Sequence, residues 1–360
     1  MGQRQVAILV CIYSNKSFPL KTLSPLKNHP LEPFPFFPPL ANTAYNRLPK
    51  IVLAPLTDLK MAVARRSIGI AIHNDTYPFI SPSRYRSSLS GKVILVTGAS
   101  RGIGRATCLA FAQAGAHIAA VARTTSALDS LISQIKSQYK LPAMAITANV
   151  VSDATGIVKQ VEEELGPIDI LINNAGENRM SRFAEEKDFA TWWHVWEINT
   201  LAPLAMIHAI LPSFRSRGHG TVITLGTAVT DSPVPFLSSY IGSKAGMQKA
   251  IQVIDLELKV QGIQNFVVHP GSNVSELSAG DDSIIGEEMK RIISNYLPYM
   301  TDTLALPADS MVALAGLAEE GKAEFLSGRF WDVAEDLEEL MKKKDEIVSE
   351  DLYNLRLRKL

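Results

Sequence analysis

The stretch Lys92–Gly115, KVILVTGASRGIGRATCLAFAQAG, decides the fold. Lys92–Thr97 is a short apolar run rich in β-branched residues, suited to a strand buried on both faces of a parallel sheet. A glycine-rich turn follows directly, with Gly98, Gly102 and Gly104 spaced along it and Ser100, Arg101 and Ile103 completing it. Glycine at these places lets the backbone turn tightly from strand into helix. It also lets a dinucleotide pyrophosphate approach the helix N-terminus. The helix runs on to Gly115, a C-capping glycine. The same spacing also serves as a plain strand-to-helix turn in other α/β proteins, so the reading rests on what surrounds it.

Downstream, strands and helices alternate. His117–Ala122 reads as strand two, Ala143–Ala148 as strand three, Ile168–Ile172 as strand four, Gly220–Thr227 as strand five and Ile263–Val268 as strand six. Between strands two and three, Leu128, Leu131, Ile132 and Ile135 make one apolar helix face, preceded by a capping-box pattern at Ser126 and Asp129. Asp153 is placed to cap the helix after strand three. A helix over 308–320 and a last strand over 325–333 follow. Alternation of this kind implies right-handed crossovers and a parallel sheet. The expected fold class is α/β, a single Rossmann-like doubly wound parallel sheet with helices on both faces.

The flanks read differently. Residues 1–88 carry eleven Lys and Arg against three acids, so the remainder is net acidic by eight in a chain of formal net charge zero. This basic leader is proline-rich and has no sustained period, so disorder is expected. Val6–Tyr13 is too short for a secretory segment, an organelle transit peptide fits the acid-poor composition, and a start at Met61 fits best. The domain reading is therefore a leader over 1–88, a cofactor-binding catalytic domain over 89–335 and a charged tail over 336–360. The closing Arg358-Lys359-Leu360 is a poor approximation to a peroxisomal signal. Cys11 and Cys108 support neither a disulfide framework nor a metal site, which points to a reducing compartment and a cytoplasmic location. No stretch of the domain is long and apolar enough to span a membrane, and no basic stripe interleaved with aromatics suggests nucleic acid.

Several positions carry chemistry. Arg123 ends strand two, where an acid would grip an NAD ribose hydroxyl, and Arg101 offers a second guanidinium. Two such forks suit the 2′-phosphate of NADP. Asn149 follows strand three, near the adenine in such a sheet. Tyr240 and Lys244 are four apart on a helix starting near Ser238 and share a face, where an ammonium would favour the phenolate. Trp192, Trp193 and Trp196 read as packing or subunit interface rather than a substrate cage. Residues Ile284, Ile285, Met289, Ile292, Ile293, Tyr296 and Leu297 fit either a lid over a lipophilic substrate or ordinary packing.

Taken together, these motifs resemble the short-chain dehydrogenase/reductase family over Leu89–Val333. Thr97–Gly104 resembles its TGxxxGxG loop, Asn173–Gly176 its NNAG strand end, Tyr240 and Lys244 its YxxxK pair, and Pro270-Gly271 its PG turn. The resemblance implies NADPH held by Gly98, Ser100, Arg101, Gly102, Ile103, Gly104, Arg123, Asn149, Asn174, Ala175, Gly176, Tyr240, Lys244, Gly271 and Ser275. It implies catalysis by Tyr240 as acid or base, by Lys244 on the nicotinamide ribose, and by Asn199 holding a water of the proton relay. Thr227 stands where the family's catalytic Ser is usual; it keeps the hydroxyl but adds a methyl and a stiffer χ1. Asn149 replaces an Asp, and Asn273 and Ser275 replace the residues usual after the PG turn. The texture of the leader, of Tyr77-Pro78-Phe79 and of the tail is similar to fungal members found in secondary metabolism. The expected activity is an NADP-dependent oxidoreductase acting on a small lipophilic carbonyl or alcohol, as a homo-oligomer. The alternative is a non-catalytic NADP-binding sensor or partner subunit that kept the fold.

Overall fold

The computed structural model describes residues 69–275, 277 and 287–356, without the side chains of 287–289. Expectations placed on residues 1–68, on Ile284, Ile285 and Met289, and on Arg358-Lys359-Leu360 lie outside the described residues and side chains.

Seven strands form one sheet: β1 (Val93–Thr97), β2 (His117–Ala122), β3 (Ala143–Thr147), β4 (Ile170–Asn173), β5 (Gly220–Leu225), β6 (Ile263–His269) and β7 (Phe330–Asp332). Their order is β3-β2-β1-β4-β5-β6-β7, and neighbouring strands pair parallel throughout. The order reverses beside β1, so the carboxyl ends of β1 and β4 open a crevice at the point where such sheets bind ligands.

Side-chain alternation along the strands feeds two cores. Ile94 and Val96 of β1 face one core, with helices α1 (Gly102–Gln113) and α2 (Thr125–Tyr139); Val93 and Leu95 face the other, with α3 (Ala154–Glu164). Helix α4 (Phe189–Trp196) leads through a π-helical turn, Glu197–Leu201, into α5 (Ala202–Arg217), and α6 (Ser238–Leu258) follows β5. Helices α5 and α6 join the second core, while α8 (Ala305–Glu319), which comes after α7 (Glu287–Tyr296), joins the first. Burial of strands on both faces explains why β1 reads as an unbroken apolar run. Among the described residues no helix is long and apolar enough to cross a membrane.

The described part of the leader is more ordered than composition predicts. The expected leader is packed from Ile70 onward: Ile70, Ile80 and Tyr85 are buried in the first core. Tyr85 seats its ring against Gly316 of α8, where any Cβ would overlap it. The expected tail also belongs to the domain. Helices α9 (Leu337–Lys342) and α10 (Lys344–Ser349) bury Leu337, Leu340 and Ile347, and the Phe330 amide of β7 donates to the Tyr353 carbonyl at 2.8 Å. A few apolar anchors suffice to fix such segments, and a compositional reading averages them away.

Of two local capping expectations, one needs adjusting. The Ser126–Asp129 capping box does not form, because α2 begins at Thr125 with Thr124 as a cap that makes no side-chain bond. Asp153 does cap α3, accepting from the Gly156 amide at 3.2 Å.

Candidate active site

Three strand ends build the site floor. Thr97, the last residue of β1, accepts from the Asn174 and Ala175 amides with Oγ1, each at 3.1 Å, and the Asn174 side chain donates to the Thr97 and Gly98 carbonyls at 2.8 and 3.1 Å. The glycine turn and the NNAG stretch are thus laced together by polar bonds. Gly98 has φ +67°, and a Cβ there would stand 2.8 Å from Ala175 Cα, so glycine is required both by conformation and by space. At Gly104 a Cβ would overlap the Gly98 carbonyl oxygen. Gly102, by contrast, has φ +52° with open space beside it.

Helix α1 starts at Gly102 behind an extended Arg101 that makes no side-chain cap. Its first amides therefore keep the positive end of the helix for an anion. Arg101 and Arg123 are both exposed, one in this turn and the other just after β2. Arg105, one turn further along α1, is engaged elsewhere, bonding the Ala127 carbonyl and Gln134. Asn149 is exposed, and its side-chain oxygen accepts from the Val151 amide at 3.0 Å in a local turn.

Tyr240 and Lys244 sit in the first two turns of α6, and Thr227 follows β5 with 6% exposure. The Thr227 hydroxyl lies close enough to the Tyr240 phenol to influence its titration. Burial pushes the Tyr240 pKa upward, and Thr227 opposes that rise. Lys244 is buried, and desolvation lowers its pKa to about 8. Its Nζ donates to the Leu225 carbonyl at 2.7 Å and lies 3.7 Å from where a Cβ on Gly176 would stand. Desolvation is the largest influence on both groups, raising the phenol and lowering the ammonium.

Asn199 is fully buried in the π-helical turn. Its side chain clamps Glu177, accepting from its amide at 2.9 Å and donating to its carbonyl at 2.8 Å, and also donates to Ser243 Oγ at 3.0 Å. Both donor hydrogens are spent within the protein. Sequence reading missed Ser243, which with Thr200 ties the π turn to α6: Thr200 Oγ1 donates to the Ser243 carbonyl at 2.9 Å. It also missed the Leu225 carbonyl, a backbone group with no signature in residue type.

A small separate apolar cluster gathers Met180 and Ile292, packed with Phe236, Leu237 and Ile293. Its loop is fastened by Arg179, which chelates Glu186 through Nε and Nη2 at 2.5 and 2.6 Å, while Ser181 donates to the same carboxylate. These bonds hold Glu186 down at about 2. The tryptophans form a ladder, Trp193 over Trp196 at 5.6 Å between centroids, and Trp196 rests on Gly242 and Gly246 of α6. After β6, Gly271 has φ +84°, and Ser275 lies four residues on, half-buried.

The residues present fit a nicotinamide dinucleotide: an uncapped helix start, open space at Gly102 and a buried lysine beside Gly176 all lie at the carboxyl edge of the sheet. A parallel sheet with this glycine turn and a Tyr–Lys helix behind it defines a Rossmann-type oxidoreductase.

The comparisons with known proteins agree. The family model described as short chain dehydrogenase matches residues 92–283. A short chain dehydrogenase of the fungus Pseudocercospora fijiensis is 38% identical over 280 residues, 75% of this chain and 89% of that protein. One from Monascus purpureus is 32% identical over 292 residues, 79% of this chain and 94% of that one. Among solved structures, one titled as an NAD(P)-dependent gluconate 5-dehydrogenase from Beutenbergia cavernae, provisionally so assigned and with NADP bound, has a TM-score of 0.57 at 25% identity, over 68% of this chain and 96% of that one. A short-chain alcohol dehydrogenase fold from Sinorhizobium meliloti has a TM-score of 0.58 at 24% identity, over 71% of this chain and 97% of the other. This chain belongs to the short-chain dehydrogenase family. It is an oxidoreductase of the class that acts on alcohol and carbonyl groups with a nicotinamide cofactor.

Proposed function

We propose that this chain is an NADP-dependent reductase of lipophilic ketones or aldehydes, or the corresponding alcohol dehydrogenase, with Tyr240, Thr227, Lys244 and Asn199 as its working residues. The observation that carries the reading is Tyr240, within reach of Thr227, set one helical turn before the buried Lys244 on α6. When bound, the nicotinamide supplies the hydride. Thr227 and Tyr240 hold the substrate oxygen between their hydroxyls, and the phenol of Tyr240 donates the proton that completes reduction. A phenol kept protonated by burial is the form this step requires. Lys244 retains N–H capacity beyond its bond to Leu225, with which it anchors the ribose and resupplies the proton. Asn199 contributes to that relay through its main chain, since its side-chain donors already bond Glu177 and Ser243.

NADP rather than NAD is favoured by Arg101 and Arg123, two exposed guanidinium groups flanking the glycine turn without a competing acid at the end of β2. Gly98, Ser100, Gly102, Ile103 and Gly104 take the pyrophosphate, and Asn149, Asn174, Ala175, Gly176, Gly271 and Ser275 complete the cofactor cleft. The apolar cluster of Met180, Phe236, Leu237, Ile292 and Ile293 favours a lipophilic substrate. The exposed rings of Phe183, Phe189 and Trp193 support subunit contact in a homo-oligomer. We take the catalytic domain to run from about residue 70 to 355.

The test measures NADPH and NADH binding to the full chain, then NADPH oxidation against a panel of lipophilic ketones. Tighter NADPH binding with turnover is expected. NADPH binding without turnover on any member supports the non-catalytic alternative, and tighter NADH binding overturns the NADP assignment.

A further inference from the structure

The loop that follows β6 carries Gly271 and Ser275, and its geometry is set from an unexpected direction. The two ends of the connection between β6 and α8 are buckled together. The Ser272 amide donates to Asp302 Oδ2 at 2.6 Å, the Asp302 amide returns to the Ser272 carbonyl at 3.3 Å, and Asn273 Nδ2 donates to the Asp302 and Thr303 carbonyls at 3.0 and 2.8 Å. A Cβ on Gly271 would stand 2.6 Å from Asp302 Oδ2, so the carboxylate also fills the space left by that glycine. Asn273 is 5% exposed and Asp302 8%, so the buckle is an interior polar network, where each bond counts for more than at the surface.

The buckle is in turn held by residues that precede the glycine turn by some twenty positions. The Thr303 amide donates to the Asn74 carbonyl at 2.9 Å, and Thr303 Oγ1 donates to Asp75 Oδ1 at 2.6 Å while accepting from the Leu306 amide at 3.3 Å. Thr76 Oγ1 donates to Asp309 Oδ2 at 2.6 Å. The other end of this segment is sewn to the stretch after β7: the His73 amide to the Ala334 carbonyl, the Asp336 amide to the Ala71 carbonyl, and the ring of His73 to Asp336 at 2.8 Å. His73 also stacks on Tyr77, with 3.8 Å between ring centroids. Residues 71–76 therefore strap two loops that leave the carboxyl edge of the sheet, and they lie outside residues 92–283 matched by the family model.

We propose that Asp75 and Thr303 are positioning residues for cofactor binding: through the Asp75–Thr303–Asp302–Ser272 chain of bonds, the strap holds Gly271 and Ser275 against the nicotinamide half of NADPH. The inference rests on the cofactor reading above. The hydrogen bonds of Asp75 and Thr303 run to the loop that carries Gly271 and Ser275, so the expected effect falls on one half of the cofactor.

That asymmetry supplies the test. Thr303→Val keeps the volume and removes both bonds of the hydroxyl; Thr303→Ser restores them; Asp75→Ala removes the partner at an exposed position. NADPH and 2′,5′-ADP, which lacks the nicotinamide half, are titrated against each full-length variant. Thr303→Val is expected to weaken NADPH by about tenfold, the scale of one charge-assisted hydrogen bond, while 2′,5′-ADP binds as to the native chain. Asp75→Ala weakens NADPH in the same selective way, and Thr303→Ser binds like the native chain. Unchanged NADPH affinity in both Thr303→Val and Asp75→Ala overturns the proposal, as does equal weakening of both ligands or failure of Thr303→Ser to restore binding. Should Thr303→Val fail to fold, Asp75→Ala decides alone. If the native chain binds no NADPH, the cofactor reading falls and this assignment with it.

Discussion

Lys244 donates from Nζ to the carbonyl oxygen of Leu225 at 2.7 Å, a side chain of α6 bound to the last residue of β5. One neutral acceptor does not repay the cost of burying an ammonium, and desolvation lowers the lysine to about 8 from 10.5. Between about 8 and 10.5 the unfolded chain binds the extra proton, so the stability lost to this group below pH 8 is regained as pH rises through that window. Lys244→Met is therefore expected to exceed the native chain in stability at pH 7 by ~2 kcal/mol, with the gap closing toward pH 10.5. Urea unfolding at pH 7, 8.5 and 10 reads this out; a gap that does not vary with pH contradicts it. The variant should also lose turnover.

Tyr240→Phe removes the proton donor and leaves the ring. Turnover is expected to fall by about 10²–10⁴ while NADPH binding changes little, because the lost group acts on the substrate oxygen. Normal kcat in this variant would rule the mechanism out.

Thr227→Ser and Thr227→Val separate hydroxyl from methyl. The serine variant keeps a hydroxyl beside Tyr240 and should retain kcat within a few-fold, whereas the valine variant should lose about 10²-fold, comparable to removal of one oxyanion donor. Steady-state rates with one ketone suffice. Equal rates for native and valine forms would remove Thr227 from the site.

Gly104→Ala and Gly102→Ala differ in what the new methyl meets. At Gly104 it overlaps the Gly98 carbonyl, so a loss of ~1–3 kcal/mol in stability is expected together with weakened NADPH binding. At Gly102 there is open space but φ is +52°, so the fold survives with a cost of about 1 kcal/mol. Thermal unfolding should rank the two in that order.

Arg123→Glu exchanges a phosphate fork for a carboxylate. NADPH affinity should drop by at least about tenfold and NADH affinity should hold or rise, since an acid at this place bonds a ribose hydroxyl. A variant that keeps its NADPH preference would place the 2′-phosphate elsewhere.

Much of this protein was legible in its sequence because the signals are local. β2 was bounded correctly by an apolar run, Gly98 and Gly104 by their spacing, and Tyr240 with Lys244 by the helical repeat, each set within a few residues by backbone geometry. Composition points to a disordered leader and a charged tail. The structure fixes Ile70, Tyr85, Leu337 and Ile347 in the core, because a handful of well-placed anchors outweighs the polarity around them. The sequence alone thus determined the doubly wound sheet, whose signals are carried by neighbouring residues. Only the tertiary structure decided that Asn199 spends its side chain on Glu177, that Lys244 rests on the Leu225 carbonyl, and that Asp75 meets Thr303 across 228 residues. Those contacts join backbone groups and small polar side chains distant in the chain, and nothing in a residue's type or in its neighbours' spacing marks such a partner in advance.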